Sequence, residues 1–401
     1  MKLTTAQRIR DWTGPALLTY GFRPFFFGAA VWAALAMVLW IGVLTGQGTL
    51  PTALDPVSWH AHEFLFGYLG AVVAGFLLTA VPNWTGRLPI VGWPLAGLVA
   101  LWLAGRAAMA VSAGLLPELA AVIDLSFSVV LAAIIAREIV AGKNWRNLIV
   151  LGMLCVMILG NGVFHWEVAK GSYAAQGYGL RLGLAAGIMM IAVIGGRIVP
   201  SFTRNWLVKR GATRLPVPPM QVFDRLALLG LMSALLLWVA LPTAFVTGAT
   251  LLIAGALHVG RLFRWAGAQT LSEPLVWVLH AGYAFVPLGA LAIGAEVLLG
   301  TSVSGAVQHL WMGGALGLTT LAVMTRATLG HTGQELTAGP GTVGIYGAMI
   351  AAVLLRVAAG LWPQHAAALH SLSGPAWIAS FAGFSTVYGP LLLCQRSAKA
   401  A

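Results

Sequence analysis

The chain has 401 residues, of which 59% are hydrophobic and only 8% are charged. A water-soluble domain carries about 25% charged residues, and such an apolar surface is costly to leave in water. The composition therefore excludes a soluble globular protein and indicates an integral membrane protein. The net charge of +12 would suit a nucleic-acid partner, but the distribution of the basic residues along the chain argues against one.

Apolar runs of about 20 residues, the length that crosses a bilayer as a helix, occur twelve times. The sequence therefore predicts an all-α protein with twelve transmembrane helices. Similar residues end spans 2, 6 and 10, namely Val81-Pro-Asn-Trp-Thr85, Val199-Pro-Ser-Phe-Thr203 and Val323-Met-Thr-Arg326, which suggests three four-helix units. The predicted spans are 25–46, 60–82, 90–112, 118–141, 145–169, 177–200, 222–241, 243–264, 272–298, 304–326, 340–361 and 373–394.

The basic residues predict the orientation. Most Lys and Arg fall on one side of the membrane if both termini are cytoplasmic, as the positive-inside rule requires. The charge excess is then a topology signal and does not indicate a nucleic-acid partner. The predicted parts are a cytoplasmic N-terminal segment (1–24), one transmembrane domain (25–394) and a cytoplasmic tail (395–401). Cys155 and Cys394 are too isolated in apolar runs to predict a disulfide framework.

Histidines and one glutamate form a predicted outer layer. His60, His62 and Glu63 begin span 2, His165 lies near the outer end of span 5, and His309 lies one turn into span 10. Ionisable groups inside a bilayer are costly and therefore mark candidate sites. Imidazoles and carboxylates that converge from several helices suit a transition metal. On an ideal helix His60 and Glu63 share a face, so both histidines can serve one metal only if the helix begins at about Glu63.

A second, inner layer contains His258 on span 8 and His280 on span 9. The two spans are consecutive and antiparallel, which places the imidazoles at nearly equal depth. Two facing neutral imidazoles suit axial ligation of haem, and haem propionates would need cationic partners at the inner face. The candidate partners are Arg23, Arg197, Arg204 and Arg326. Alternatively, each histidine is only hydrogen-bonded within the bundle.

Four blocks of sequence are specific enough to compare with known families. They are Tyr20-Gly-Phe-Arg-Pro-Phe-Phe26, Trp59-His-Ala-His-Glu63, Gly75-Phe-Leu-Leu-Thr-Ala-Val-Pro-Asn-Trp-Thr-Gly86 and Gly195-Gly-Arg-Ile-Val-Pro-Ser-Phe-Thr203. Together they resemble the NnrS family, over nearly the whole chain. The resemblance implies a multi-pass protein of the bacterial inner (cytoplasmic) membrane, linked to denitrification and nitric oxide stress, that binds haem b and copper. It assigns no individual ligand and is silent on whether the protein is an enzyme.

These features lead to a first hypothesis, a haem- and copper-containing oxidoreductase that binds nitric oxide and removes it by reduction. Its electrons would come from an unidentified donor. Glu63 would be a metal ligand or a catalytic proton donor, and Asp124 and Glu296 would carry protons from the outer side. The predicted metal ligands are His60, His62, His165 and His309, and the predicted haem ligands are His258 and His280.

Two other classes of function remain open. A sensor or scavenger of nitric oxide would need haem but neither turnover nor a proton path. A transporter for a metal or a small metabolite would fit twelve spans, although the middle of the predicted bilayer region contains almost no charge, where transporters commonly place their site. Independently of the function, Glu63 has an alternative role in which it only caps the start of span 2.

Overall fold

The computed structural model describes residues 12–301 and 304–394, and within these residues it is α-helical, with short 3₁₀ segments and no β-strand. This confirms the predicted all-α class. Eleven helices of the described residues are long and apolar enough to cross a membrane, so the protein is a multi-pass membrane protein surrounded by lipid. They are α1 (Phe22–Leu44), α2 (Pro56–Thr85), α3 (Trp93–Ala110), α4 (Pro117–Ala141), α5 (Trp145–Ala169), α6 (Tyr178–Lys209), α7 (Val222–Ala240), α8 (Phe245–Phe263), α9 (Pro274–Leu299), α11 (Pro340–Leu361) and α12 (Pro363–Leu393).

The tenth predicted span, 304–326, lies in a further helical run, α10, which is not among these eleven. It consists of three consecutive segments, Ser304–His309, Leu310–Leu318 and Thr319–His331. Twelve helical runs of the described chain therefore follow the order of the predicted spans. The orientation of the termini stays a prediction, and residues 1–11 of the N-terminal segment and the tail 395–401 lie outside the described residues.

Several helices begin earlier or end later than hydropathy predicts. Helix α2 begins at Pro56 because Asp55 accepts hydrogen bonds from Val57 N and Ser58 N, both at 3.0 Å, and so caps its start. Proline at the first helical position needs no hydrogen-bond partner for its nitrogen. Helix α12 begins ten residues before the predicted residue 373, also at a proline, Pro363.

Three of the helices contain a π-helical segment, in which backbone hydrogen bonds join residues five apart instead of four. These segments are Glu63–Tyr68 in α2, Ile191–Gly195 in α6 and Leu310–Leu318 in α10. Segments of this kind are rare and occur frequently at functional sites. They lie in the same three helices that show internal sequence similarity, but the division into three four-helix units stays a prediction.

The described residues group into two compact units. The first contains 12–183, 327–334 and 384–394, and the second contains 184–301, 304–326 and 335–383. Within the first unit, α5 and the start of α6 pack closely because glycines face each other. A Cβ atom on Gly179 would lie only 2.3 Å from the backbone nitrogen of Phe164. Each unit contains its own buried cluster of polar side chains.

Candidate functional site

Six polar side chains meet inside the first unit, and we call this group the polar cluster. Every member is at least nine-tenths buried, with exposed fractions between 0% for His62 and 9% for His165. Buried polar groups on this scale are costly and are retained where they are paired or functional. The members are His62 and Glu63 of α2, Arg106 of α3, Asp124 of α4, and Asn161 and His165 of α5.

Two consecutive residues of α2 both reach the cluster, at the point where its π segment begins. His62 is the last residue before the segment, and Glu63 is its first residue. Neighbouring residues of a regular helix point about 100° apart, yet His62 Nδ1 lies 3.0 Å from Glu63 Oε1. Helix α2 begins at Pro56, so the condition under which His60 and His62 could both serve one metal, a start at about Glu63, is not met. The ring of His60 instead stacks on Trp40, with 4.7 Å between ring centroids.

Arg106 joins the two carboxylates of the cluster. Its Nη1 donates to both oxygens of Glu63, at 2.6 Å each, and its Nη2 donates to Asp124 Oδ1. A buried carboxylate without a cationic partner would be strongly destabilising. Arg106 therefore stabilises two negative charges at once, on side chains that are 1% and 3% exposed.

The hydrogen bonds around His62 define its protonation. Asn161 Nδ2 donates to Asp124 Oδ2 at 2.7 Å, so the other atom of the amide, Oδ1, is the one that faces His62 Nε2 at 3.1 Å. Glu63 Oε1 faces the other ring nitrogen. Since both nitrogens face acceptors, His62 donates from both and carries a positive charge. Two carboxylates, Arg106 and this imidazolium give the cluster a net charge of zero.

Three members of the cluster have the chemistry and spacing of a metal site. His62, Asp124 and His165 each offer one ligand atom, and these atoms all lie within 4.8 Å of one another. Asp124 Oδ2 is the common neighbour, 3.2 Å from His62 Nε2 and 3.1 Å from His165 Nε2. Imidazole and carboxylate ligands suit copper, zinc and iron. The residues therefore fit a metal ion, which on binding would replace the protons that the imidazoles now donate.

The structure brings together part of the predicted outer layer. His62 and His165 share the candidate metal group, and Glu63 adjoins it through His62. Among the described residues, His60 and His309 do not belong to this group. His309 lies in the second unit, where its Nδ1 donates to the carbonyl of Gly305. Metal ligation by His60 or His309 stays a prediction.

The sequence did not single out three members of the cluster as one site. Asp124 is predicted there only as a proton carrier, and Arg106 and Asn161 are not among the predicted site residues. The signal was present, because an arginine and an aspartate inside neighbouring apolar spans need a partner in hydrocarbon. Pairing them with each other would have identified the centre of the cluster.

The second unit contains a separate buried network around Arg261. Its Nε donates to Asp224 Oδ1 at 2.7 Å, and its Nη1 donates to Ala192 O of the π segment in α6 at 2.8 Å. Nη1 also donates to the hydroxyl of Tyr283 at 2.7 Å. That hydroxyl lies 2.8 Å from His258 Nδ1, and His258 Nε2 lies 3.1 Å from Ala227 O. Because the carbonyl accepts from Nε2–H, Tyr283 donates to Nδ1 and His258 is neutral.

His280 is held by a different partner. The hydroxyl of Thr203 donates to Val199 O at 2.9 Å and accepts from His280 Nε2 at 2.7 Å, while His280 Nδ1 is buried without a partner. Both nitrogens of His258, in contrast, are hydrogen-bonded. This arrangement does not fit a haem held between the two imidazoles. Their axial role stays a prediction that the described hydrogen bonds do not support.

Two of the four arginines expected to meet haem propionates have other contacts in the structure. Arg23 Nη1 donates to Leu391 O, Leu392 O and Cys394 O at 2.9–3.2 Å, at the end of α12. Arg326 lies over the ring of Phe202, 4.2 Å from its centroid, and Arg197 is half-buried. A role in binding propionates stays a prediction for all three.

Comparison with known proteins agrees with the resemblance of the sequence blocks. A comparison with curated protein sequences found no match. The family described as NnrS protein matches residues 16–396, which is nearly the whole chain and includes every helix of both units. The chain therefore belongs to the NnrS family.

Proposed function

We propose that this protein holds a copper ion at His62, Asp124 and His165 and there binds and reductively removes nitric oxide, in the bacterial inner membrane. The observation that carries the proposal is the buried group of two imidazoles and one carboxylate within 4.8 Å. A bound metal would supply a binding position for the gas and a route for electrons.

The charge of the polar cluster favours a cation of low charge. With both histidines neutral, as metal ligation requires, Glu63 and Asp124 contribute two negative charges and Arg106 one positive charge. One further positive charge would make the cluster neutral, as the proton on His62 does now. Monovalent copper provides that charge, and imidazole is a ligand that copper accepts.

Glu63 is the proposed proton donor. It is not one of the three candidate ligands, but its Oε1 lies 3.0 Å from His62 Nδ1, next to the group that would bind the metal. Reduction of two molecules of nitric oxide to nitrous oxide and water consumes two electrons and two protons. A carboxylate beside the metal is placed to take up protons and pass them on, while the electrons would come from a donor still to be identified.

Metal analysis of single variants tests the ligand group. Protein purified in detergent is analysed for copper and iron, and His62→Ala, His165→Ala and Asp124→Asn are each expected to lose copper. His365→Ala, at an exposed histidine, and Glu118→Gln, at an exposed acid on the same helix as Asp124, are the matched controls. Unchanged copper in all three cluster variants would remove the proposed site. His60→Ala decides whether the stacked histidine contributes.

Steady-state consumption of nitric oxide tests the reaction. Pure protein is supplied with a chemical reductant in place of its natural donor, and repeated turnover is expected. Loss of one equivalent without turnover would instead identify a sensor or scavenger. Protein without copper and without a haem Soret band would favour a transporter.

A further inference from the structure

A small cavity lies beside the polar cluster and is not explained by it. We call it the side cavity. It is lined by parts of α2, α3, α4 and α5, and it has room for one molecule about the size of water. One end is polar, formed by Arg106, Asp124 and Asn161, and the remaining walls are almost entirely apolar. A cavity of this kind can hold a small ligand next to the proposed metal.

The polar end offers one unused hydrogen-bond donor. Arg106 uses Nη1 and Nη2 on the two carboxylates, but its Nε–H is buried and has no partner. A buried donor without an acceptor is destabilising. Since Arg106 lines the side cavity, we infer that an occupant with a lone pair is the acceptor for this N–H.

Three residues that line the cavity are half-buried, and two of them lie on α4 and α5, from which we infer an opening between these two helices. Ser128 of α4 and Ile158 of α5 line it and are half-buried, near the middle of their helices. The residues that follow them, Val129 and Leu159, are 51% and 58% exposed. These apolar surfaces, in the middle of membrane spans, face lipid, so the opening faces hydrocarbon. The Ser128 hydroxyl donates to Leu125 O at 3.0 Å and adds no free polar group to the opening.

We propose that the side cavity admits one uncharged molecule of two or three atoms, carrying a lone pair, from the bilayer to the Arg106 side of the polar cluster. This inference deepens the proposed function by naming the class of ligand and its route. Anions such as nitrite are excluded because crossing hydrocarbon without a counter-charge is far too costly. Nitric oxide belongs to the admitted class, and so does water.

The cavity itself is tested without reference to any metal. Crystals of the purified protein are pressurised with argon, whose diameter is close to that of a diatomic gas, and the density is compared with that of untreated crystals. An argon atom is expected between Phe127, Met157 and Arg106 in the wild type. It is expected to disappear in Gly70→Ala, whose added Cβ would enter the cavity lining and meet Phe127 at an ordinary 3.9 Å. Absence of argon density in the wild type would overturn the proposal.

The route is tested by blocking its opening. Ile158→Trp places a large ring at the half-buried position, whereas Leu159→Trp places the same ring on the adjacent lipid-facing position. In copper-loaded protein in lipid nanodiscs, stopped-flow mixing with nitric oxide is expected to show association slowed by about tenfold or more in Ile158→Trp. The Leu159→Trp control should bind at the wild-type rate. Equal rates in both variants would overturn the route.

The argon experiment and the nitric oxide association experiment together distinguish a failure of this inference from a failure of the proposed function. Protein that binds no copper contradicts the proposed function, yet the argon experiment still reports on the side cavity. Protein that binds copper but holds no argon and associates with nitric oxide at the same rate in both tryptophan variants contradicts only this inference.

Discussion

Arg106 and Glu63 form a two-pronged contact inside the first unit, with Nη1 of the arginine 2.6 Å from each oxygen of the carboxylate. The same guanidinium also bonds Asp124. One cation thus neutralises much of the charge of two acids that come from different helices. The first prediction concerns the loss of this cation, on which both acids depend.

Arg106→Gln should lower the stability of the protein substantially. Breaking a buried ion pair by removing one partner costs about 3–5 kcal/mol, and here two carboxylates lose their cation. The measurement is the thermal unfolding midpoint of purified protein in detergent. Arg146→Gln, at an exposed arginine, is the control and should have no effect. The double variant Arg106→Gln/Glu63→Gln should regain part of the loss, and an unchanged midpoint in the single variant would show that the acids are neutral.

Glu63→Gln should separate metal binding from turnover. The residue is not one of the three candidate ligands, so copper content should stay close to that of the wild type. Steady-state reduction of nitric oxide should fall by about 10²- to 10⁴-fold, the usual contribution of a general acid. Glu118→Gln again serves as the exposed control. If copper is lost together with activity, Glu63 is a ligand and not a proton donor.

Gly196→Ala should disrupt the network of the second unit. A Cβ atom at this position would lie 2.0 Å from Arg261 Nη2, so the guanidinium would have to move away from Asp224. Overpacking of a tight interior typically costs about 1–3 kcal/mol, and the expected result is a lower unfolding midpoint. Gly152→Ala is the matched control, because its Cβ would meet nothing within 4 Å. Equal midpoints for the two variants would show that the network tolerates rearrangement.

Alanine variants of the two inner histidines test the predicted haem ligation. If His258 and His280 ligate haem, then His258→Ala and His280→Ala should each abolish one haem spectrum, measured as the pyridine haemochrome, and leave copper bound. Tyr283→Phe is the informative comparison, because it releases Nδ1 of His258 from its hydrogen bond and removes no imidazole. Full haem content in both alanine variants would show that these histidines serve only the hydrogen-bonded network.

The membrane helices could be predicted from the sequence because a helix needs about 20 apolar residues to cross a bilayer. The ends of the helices were harder to predict, since caps such as Asp55 add polar turns that hydropathy does not detect. The candidate site was predicted in part, since the cost of burying ionisable groups points to His62, Glu63 and His165. Which of these groups meet depends on the rotation of each helix about its axis.

Two local features show why rotation defeats the prediction from sequence. His60 and Glu63 share a face of an ideal helix, yet the ring of His60 stacks on Trp40 and only Glu63 joins the polar cluster. In the second unit, His258 and His280 were matched by depth. It is Tyr283, three residues farther along α9, that contacts His258. The depth of a side chain in the membrane follows from counting residues along its helix. Which side chains of two helices face each other depends on how the helices pack, and the sequence of one helix does not determine that packing.

Arg23 also bears on the order in which the molecule is completed. Its guanidinium is held by backbone oxygens at the end of α12, the first of which belongs to a residue 368 positions later in the chain. While the polypeptide is being synthesised, this cation enters the membrane region long before those acceptors exist. The first unit can therefore be completed only after α12 has been synthesised. Until then, water or a lipid headgroup must act as the hydrogen-bond acceptor for Arg23.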